Sequence, residues 1–239
     1  KLLADIISKT GGTNDEIVNA YLKGVELDTV LTSKIDFLKQ GAAYFKTNKI
    51  RDKEGDLIQK IISLKPKPSI NDYFDLTLAR YFTPDNAKSR VVALTMIEKF
   101  PDQPYGYEWA FNNSNVMDSV KKDSIAVPDA LKLYEFSKKD TAKFKKQYLT
   151  SVRFLSTYYI NQAKDKEKSL EFFTKWLEVD AANAPTIQQY IDQIKKMPAK
   201  QAAPPRGNVQ PTSTTEKKAV GATAIKPAKP KTTTVSKKA

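Results

Sequence analysis

The sequence contains neither cysteine nor histidine in its 239 residues. No disulfide can form, no thiolate or imidazole can ligate a metal, and no serine or cysteine nucleophile can be activated by a histidine base. Most hydrolase, protease and zinc chemistries are thereby excluded by inventory. The missing cysteine leaves the redox compartment open, since reducing and oxidising spaces both tolerate such a chain. Long apolar runs are missing as well. None approaches the roughly 20 residues a membrane-spanning helix needs, so no transmembrane segment is expected. Residue 1 is Lys, and Lys1 to Ser8 lacks the basic, apolar and small-residue parts of a signal peptide. The chain is expected to be processed or cut from something longer, with any export signal or lipid anchor lying outside it.

What is present is an ordinary balance for a globular protein, 40% apolar and 28% charged, with a net charge of +13. That charge is unevenly placed. Lys200 to Ala239 holds nine basic residues against the single acid Glu216, so +8 lies there and only +5 is spread over the preceding 199 residues. From about Pro198 the composition is Pro, Ala, Thr and Lys, with AAPPRGN and IKPAKPKTTT. Such a segment buries too little apolar surface to offset its conformational entropy, and residues 197–239 are expected to be a disordered tail.

Ahead of the tail, apolar residues recur at helical spacing in stretches of about 12 to 20 residues, separated by short Pro, Gly, Asp or Asn breaks. No alternating strand pattern competes with this. Residues 1–196 read as all-α, and the helices come in pairs.

The clearest pair runs over 148–184, YLTSVRFLSTYYINQAKDKEKSLEFFTKWLEVDAANA. Leu155 and Ser156 give a large then small pair, and Tyr159 lies one turn later. Ser169, Phe173, Trp176 and Leu177 mark a second helix that ends in Val179, Asp180, Ala181, Ala182 and Asn183. A small residue lets two antiparallel helices approach closely while aromatics one turn away fill the groove beside it. An earlier pair places Leu38, Gly41, Ala42 and Phe45 before Ile58, Ile61, Ile62 and Leu64, with Pro66 closing it. Another places Leu78, Ala79 and Phe82 before Ser89, Ala93, Ile97 and Pro101, across a shortened turn. A fourth begins with Trp109 and Ala110 and resumes at Ala130 and Tyr134, after an enlarged loop from Asn112 to Val127. Leu3, Ala4 and Ile7 read as the end of a first helix and NAYLKGVELDT as a second helix with its Leu27-Asp28 ending, so the chain is expected to start inside a repeat.

These spacings resemble the tetratricopeptide (TPR) family, whose unit is about 34 residues of helix, turn and helix. The resemblance covers residues 1–196. It is best formed over 148–184, where Ala181 stands at the usual proline and the turn has one extra residue. It implies a right-handed solenoid of TPR-like repeats, with Ala42, Ala79, Trp109, Ala110, Ser156, Tyr159, Phe173 and Trp176 as repeat-packing positions. First helices of such arrays line a concave face that binds peptides or protein segments. The strings PYGYEW, KFKKQYLTSVRFLSTYY and LEFFTKWLEVDAANA further resemble exported TPR proteins of Bacteroidota. That resemblance implies a periplasmic or outer-membrane setting.

Four features carry candidate chemistry. The aromatics Tyr105, Tyr107, Trp109 and Phe111 are read as core, with a stacking platform for sugars or bases as the alternative. Asp15 with Glu16, and Asp165 with Glu167, sit at helix starts, where carboxylates satisfy free backbone N–H groups. Gly11-Gly12 stands alone before TNDE and reads as a capping turn rather than a phosphate cradle, so no cofactor or metal site is expected. The triads starting at Asp28, Asp118, Asp123 and Asp140 resemble the O-glycan acceptor sequence of exported Bacteroidota proteins, with Thr29, Ser119, Ser124 and Thr141 as acceptors. Turn and N-cap preference alone explains their placement equally well.

Three functions remain open at this level. The first is a non-enzymatic protein-interaction scaffold, in envelope assembly or secretion, binding a protein or peptide on its concave face, with no specific nucleic acid and at most loose, salt-sensitive attraction of the tail to an anionic surface. The second is a cytoplasmic nucleic-acid- or ribosome-associated protein using the basic tail. The third is the C-terminal part of an enzyme whose catalytic domain lies upstream. Deleting Lys200 to Ala239 should leave the helical circular-dichroism signal and the Tm unchanged; a large loss of either would show that the tail is part of the folded body.

Overall fold

The computed structural model describes residues 2–121 and 124–198, and the tail expectation from residue 199 onward and Asp123 fall outside them. The described residues are all-helical, with eleven α-helices in sequential antiparallel pairs. They divide into two compact units, Lys1–Tyr148 and Leu149–Ala239.

The first unit contains α1 (Leu2–Lys9), α2 (Asn14–Leu27), α3 (Leu31–Thr47), α4 (Arg51–Leu64), α5 (Ile70–Tyr81), α6 (Asn86–Lys99), α7 (Pro104–Lys121) and α8 (Ala126–Ser137). Each packs on the next in chain order. The helix starts are written locally. Thr13 and Glu16 form a capping box, with Glu16 accepting from the Thr13 amide at 2.7 Å, and the Gly11 turn before it uses a φ of +78°. Ser69 and Asp72 repeat the device at α5, and the Asp85 carboxylate caps α6.

Burial follows the small-residue logic. Leu38, Gly41, Ala42 and Phe45 of α3 are buried at spacings of three and four, against Leu57, Ile58, Ile61 and Ile62 of α4. On α5 the buried set is Tyr73, Leu76, Thr77 and Ala79. The fully buried Ser89 hydroxyl of α6 donates to the Thr77 carbonyl at 2.9 Å. This sets the close-contact point of that hairpin two residues earlier than the spacing of Leu78, Ala79 and Phe82 predicts. Ala79 is still buried, but Phe82 is 58% exposed and closes α5 as its C-cap. The next position of the α3 pattern is taken by Arg80, whose guanidinium donates to the Asp52 carbonyl and to Asp56, so a charged side chain stands where an aromatic was expected.

The region predicted as an enlarged loop is mostly helix. α7 continues to Lys121, and its Asp118 carboxylate accepts from the amides of Ile125 and Ala126 at 3.0 and 2.7 Å, capping the entry to α8. Contact between α6 and α7 is close enough to need a glycine. A Cβ on Gly106 would lie 2.8 Å from the Ile97 amide nitrogen and 3.0 Å from the Ala93 carbonyl. An ion pair joins α6 to α8: Arg90 reaches the buried Asp129 with both Nε (2.7 Å) and Nη2 (3.2 Å).

The second unit holds most of α9 (Lys145–Asn161), then α10 (Lys166–Val179) and α11 (Ala184–Lys196). Asp165 caps α10 by accepting from the Lys168 amide. The fully buried Ser169 hydroxyl donates to the Ser156 carbonyl at 2.9 Å, the counterpart of the Ser89 to Thr77 bond. Tyr159 stacks on Phe172 at 5.7 Å with planes 9° apart, and Phe173 lies beside Trp176 at 5.8 Å. At the end of α10 the buried Asp180 accepts from Trp176 Nε1 (2.9 Å), Arg153 Nη2 (2.5 Å) and Asn183 Nδ2 (2.8 Å). This is the physical content of the Asp-x-x-Asn ending: one carboxylate ties α9, α10 and the following turn together. α11 then buries Ile187, Ile191 and Ile194 and leaves its opposite side polar, the pattern of a helix that closes an array.

Two outcomes follow. Gly106→Ala should destabilise by about 1–3 kcal/mol, because the new methyl meets the Ile97 and Ala93 backbone as well as the Ile97 side chain; urea unfolding measures it, and an unchanged midpoint would mean that α6 and α7 separate without cost. For Asp180, burial alone would raise its pKa, but the bonds from Trp176, Arg153 and Asn183 outweigh it and hold the carboxyl below its usual range. A folded value below the unfolded value of about 3.9 gives a stability contribution present above that pH and lost as pH falls through the folded value. Asp180→Asn should therefore be less stable than the parent at pH 7, with the gap narrowing below about pH 4; a gap independent of pH would contradict this.

Candidate functional site

The four aromatics at Tyr105, Tyr107, Trp109 and Phe111 are two residues apart, so on a helix they fall on two faces rather than one. Tyr107 and Phe111 turn into the first unit. Phe111 is buried, and Tyr107 stacks on Phe136 of α8 at 4.5 Å while its hydroxyl donates to the Pro101 carbonyl. Burial, helped by the nearby Asp102 charge, raises the Tyr107 pKa. Tyr105 and Trp109 point the other way, toward α5.

There they meet Phe74 and Tyr81, and Tyr81 in turn meets Phe82. Phe74 contacts Tyr105 at 5.6 Å and Trp109 at 6.1 Å, Tyr81 contacts Trp109 at 5.0 Å, and Tyr81 contacts Phe82 at 5.5 Å. All four contacts are edge-to-face, with planes 67° to 79° apart, the arrangement the ring quadrupoles favour. Phe82 and Tyr105 are 58% and 43% exposed, and the other three rings are half-buried. Five aromatic rings thus form a ledge across α5 and α7, open to solvent along one side. α5 and α7 are first helices of their hairpins, and they touch each other directly.

The ledge runs into a hollow of about 460 Å³ lined by Lys49, Ile50, Arg51, Asp52, Phe82, Thr83 and Pro84. The Arg51 guanidinium lies 5.3 Å over the Phe82 ring and also pairs with Glu54 at 2.7 Å. A second hollow of about 320 Å³ lies between α2 and α4, lined by Leu22, Glu26, Asp56, Gln59, Lys60 and Ser63. The hydroxyls lining them, Ser63 and Thr83, donate to the backbone carbonyls of Lys60 and Arg80. Among the described residues no group of three acidic side chains is placed to hold a metal ion, and no helix is long and apolar enough to cross a membrane.

The remaining sequence-predicted positions scatter. Ala42, Ala79, Ala110, Ser156, Phe173 and Trp176 are buried, and Tyr159 is half-buried on Phe172. Trp109 is only half-buried and belongs to the ledge. Of the four hydroxyls resembling glycan acceptors, Thr29 is exposed between α2 and α3, and Thr141 is exposed after the 3-10 turn Lys138–Asp140. Ser119 is exposed but helical, donating to the Val116 carbonyl at 2.6 Å, and Ser124 is half-buried with a φ of +58°. Asp28, Asp118 and Asp140 each accept backbone amides in turns or caps. The Ser33 hydroxyl and the Val30 amide hold the Asp28 carboxyl below its usual range. Phe74 and Tyr81 are the site residues that spacing alone did not assign, and Phe82, which spacing assigned to repeat packing, lies exposed on the ledge. Phe74 and Tyr81, seven apart, share a face of α5 as Tyr105 and Trp109, four apart, share one of α7.

Paired helices meeting at small buried residues, with an aromatic ledge on the first helices α5 and α7, define a helical-repeat protein. Its fold is that of TPR proteins. The C-terminal part of the TPR repeat-containing protein from Cytophaga hutchinsonii has a similar structure, at 24% identity and a TM-score of 0.56 over 77% of this chain and 69% of that one. MamA overlaps 77% of this chain and 97% of its own length at 15% identity, with a TM-score of 0.46, too loose a superposition to argue from. No protein-family model and no curated protein sequence matches the chain.

Proposed function

We propose that this chain is a non-enzymatic scaffold that binds a segment of another protein on the aromatic ledge of α5 and α7, and that it works at the periplasm or outer membrane in envelope assembly or secretion. The observation that carries the binding reading is the ledge itself. Rings half exposed at one place on two adjoining first helices cost solvation in the free protein, and contiguous exposed apolar patches of this kind mark interaction sites. Tyr and Trp supply contact area at little conformational cost and are enriched at binding hot spots. The TPR fold generally serves as a protein-interaction scaffold. The envelope setting rests on the resemblance to exported Bacteroidota proteins.

A photo-crosslinking amino acid placed at Phe82 in the native host tests both parts. The expected result is a covalent protein adduct recovered in the envelope fraction and absent when the same group is placed at Gln59, on the other helix layer. Equal labelling from both positions, or none, would overturn the ledge as the binding face; an adduct confined to the cytosol would overturn the location.

A further inference from the structure

The ledge carries a direction. Asn71, Asp75 and Phe82 are exposed along one line of α5, with half-buried Leu78 between them. Asp75 has no hydrogen-bond or ion-pair partner among the described residues. At the other end, Lys49, Arg51 and Asp52 border Phe82, and Arg51 is paired with Glu54. α5 therefore carries an unpaired carboxylate next in sequence to Phe74, and charges of both signs, Lys49 among them, beside Phe82. The seven residues from Asp75 to Phe82 span about 10 Å at a rise of about 1.5 Å per residue.

We infer that the ledge takes an extended, proline-containing protein segment in which a proline lies against the Tyr81, Phe82 and Trp109 rings and a lysine or arginine three residues away meets Asp75. This rests on the ledge being the binding face. Aromatic-lined surfaces recognise the polyproline II conformation because the proline ring packs on them and the extended chain is already ordered before binding. That conformation rises about 3.1 Å per residue, so three residues cover the 10 Å between ring and carboxylate. The charges fix which end is which. At the Phe82 end a cation would meet Lys49 and Arg51 as well as Asp52, while at the Phe74 end it meets Asp75 with no cation on that line of α5 to oppose it. An acidic segment has no such placement along α5, where Asp75 is the exposed charge on the line of Asn71, Leu78 and Phe82.

The test uses the full chain and dye-labelled synthetic peptides, alanine-based, with Pro-Ala-Ala-Lys or Lys-Ala-Ala-Pro at the centre, titrated by fluorescence anisotropy. One of the two orders should bind, weakening when its proline is replaced by serine. Asp75→Lys should weaken it about fivefold or more and strengthen the matching peptide carrying Glu in place of Lys, in line with an ion pair contributing up to about 1 kcal/mol. Phe82→Ser should weaken both peptides. Both positions are exposed, so the variants should fold; Asp75→Asn and Phe82→Leu stand in should either fail to. Binding indifferent to the charge at residue 75, indifferent to proline, or exceeded by an amphipathic-helix peptide of the same composition would overturn the inference. Absence of peptide binding while Phe82 still crosslinks a partner would overturn it and leave the scaffold reading intact; absence of both would remove both.

Discussion

The close approach of antiparallel helices at small buried side chains is the constraint on which the rest of the structure depends. It is visible as a repeated bond: Ser89 to the Thr77 carbonyl in one hairpin, Ser169 to the Ser156 carbonyl in another, each at 2.9 Å and fully buried. A serine there satisfies its own hydroxyl and needs no more room than an alanine does. Between hairpins the equivalent demand falls on Gly106, where α7 meets the α6 backbone with no space for a methyl group. Interiors packed to this density deform little, so the face each helix turns outward is fixed once the inward face is seated.

That outward consequence is what creates the candidate site. Seating Tyr73, Leu76, Thr77 and Ala79 inward fixes Phe74 and Tyr81 at the flank of α5, and seating Ala110 and Phe111 does the same for Tyr105 and Trp109 on α7. The four rings then meet between two first helices and share each other's edges, and Phe82 extends the row past the end of α5. The polar groups around them are for the most part committed to structure. Arg80 is engaged with Asp52 and Asp56, Arg51 with Glu54, and Glu108 with Lys146 and Gln147. Asp75 and Lys49, at opposite ends of the row, have no side-chain partner among the described residues and give it its charge pattern.

Much of the fold was legible because the signals that encode it are short-ranged. Capping residues such as Thr13 with Glu16, Asp85 and Asp165 act over three residues, and the large-small-aromatic spacing of 148–184 acts over one hairpin. The misread positions have longer causes. Asn112 to Val127 looked like a loop because Asn, Ser and Asp cluster there, yet α7 persists to Lys121 and Asp118 is engaged in capping α8. The α5 register slipped by two because Ala79 and Phe82 imitate the family spacing, while the bond that sets the register comes from Ser89, twelve residues on.

The sequence by itself determined that the chain is helical, that its helices pair, that histidine and cysteine chemistry is closed to it, and that most of its net positive charge lies from Lys200 onward. Periodicity supplies this because it reports which residues share a face. Only the tertiary structure decided that Tyr107 and Phe111 are covered while Tyr105 and Trp109 pack against Phe74 and Tyr81. Which neighbouring helix covers a given face depends on how closely the backbones can approach, and that is settled by contacts between residues distant in sequence.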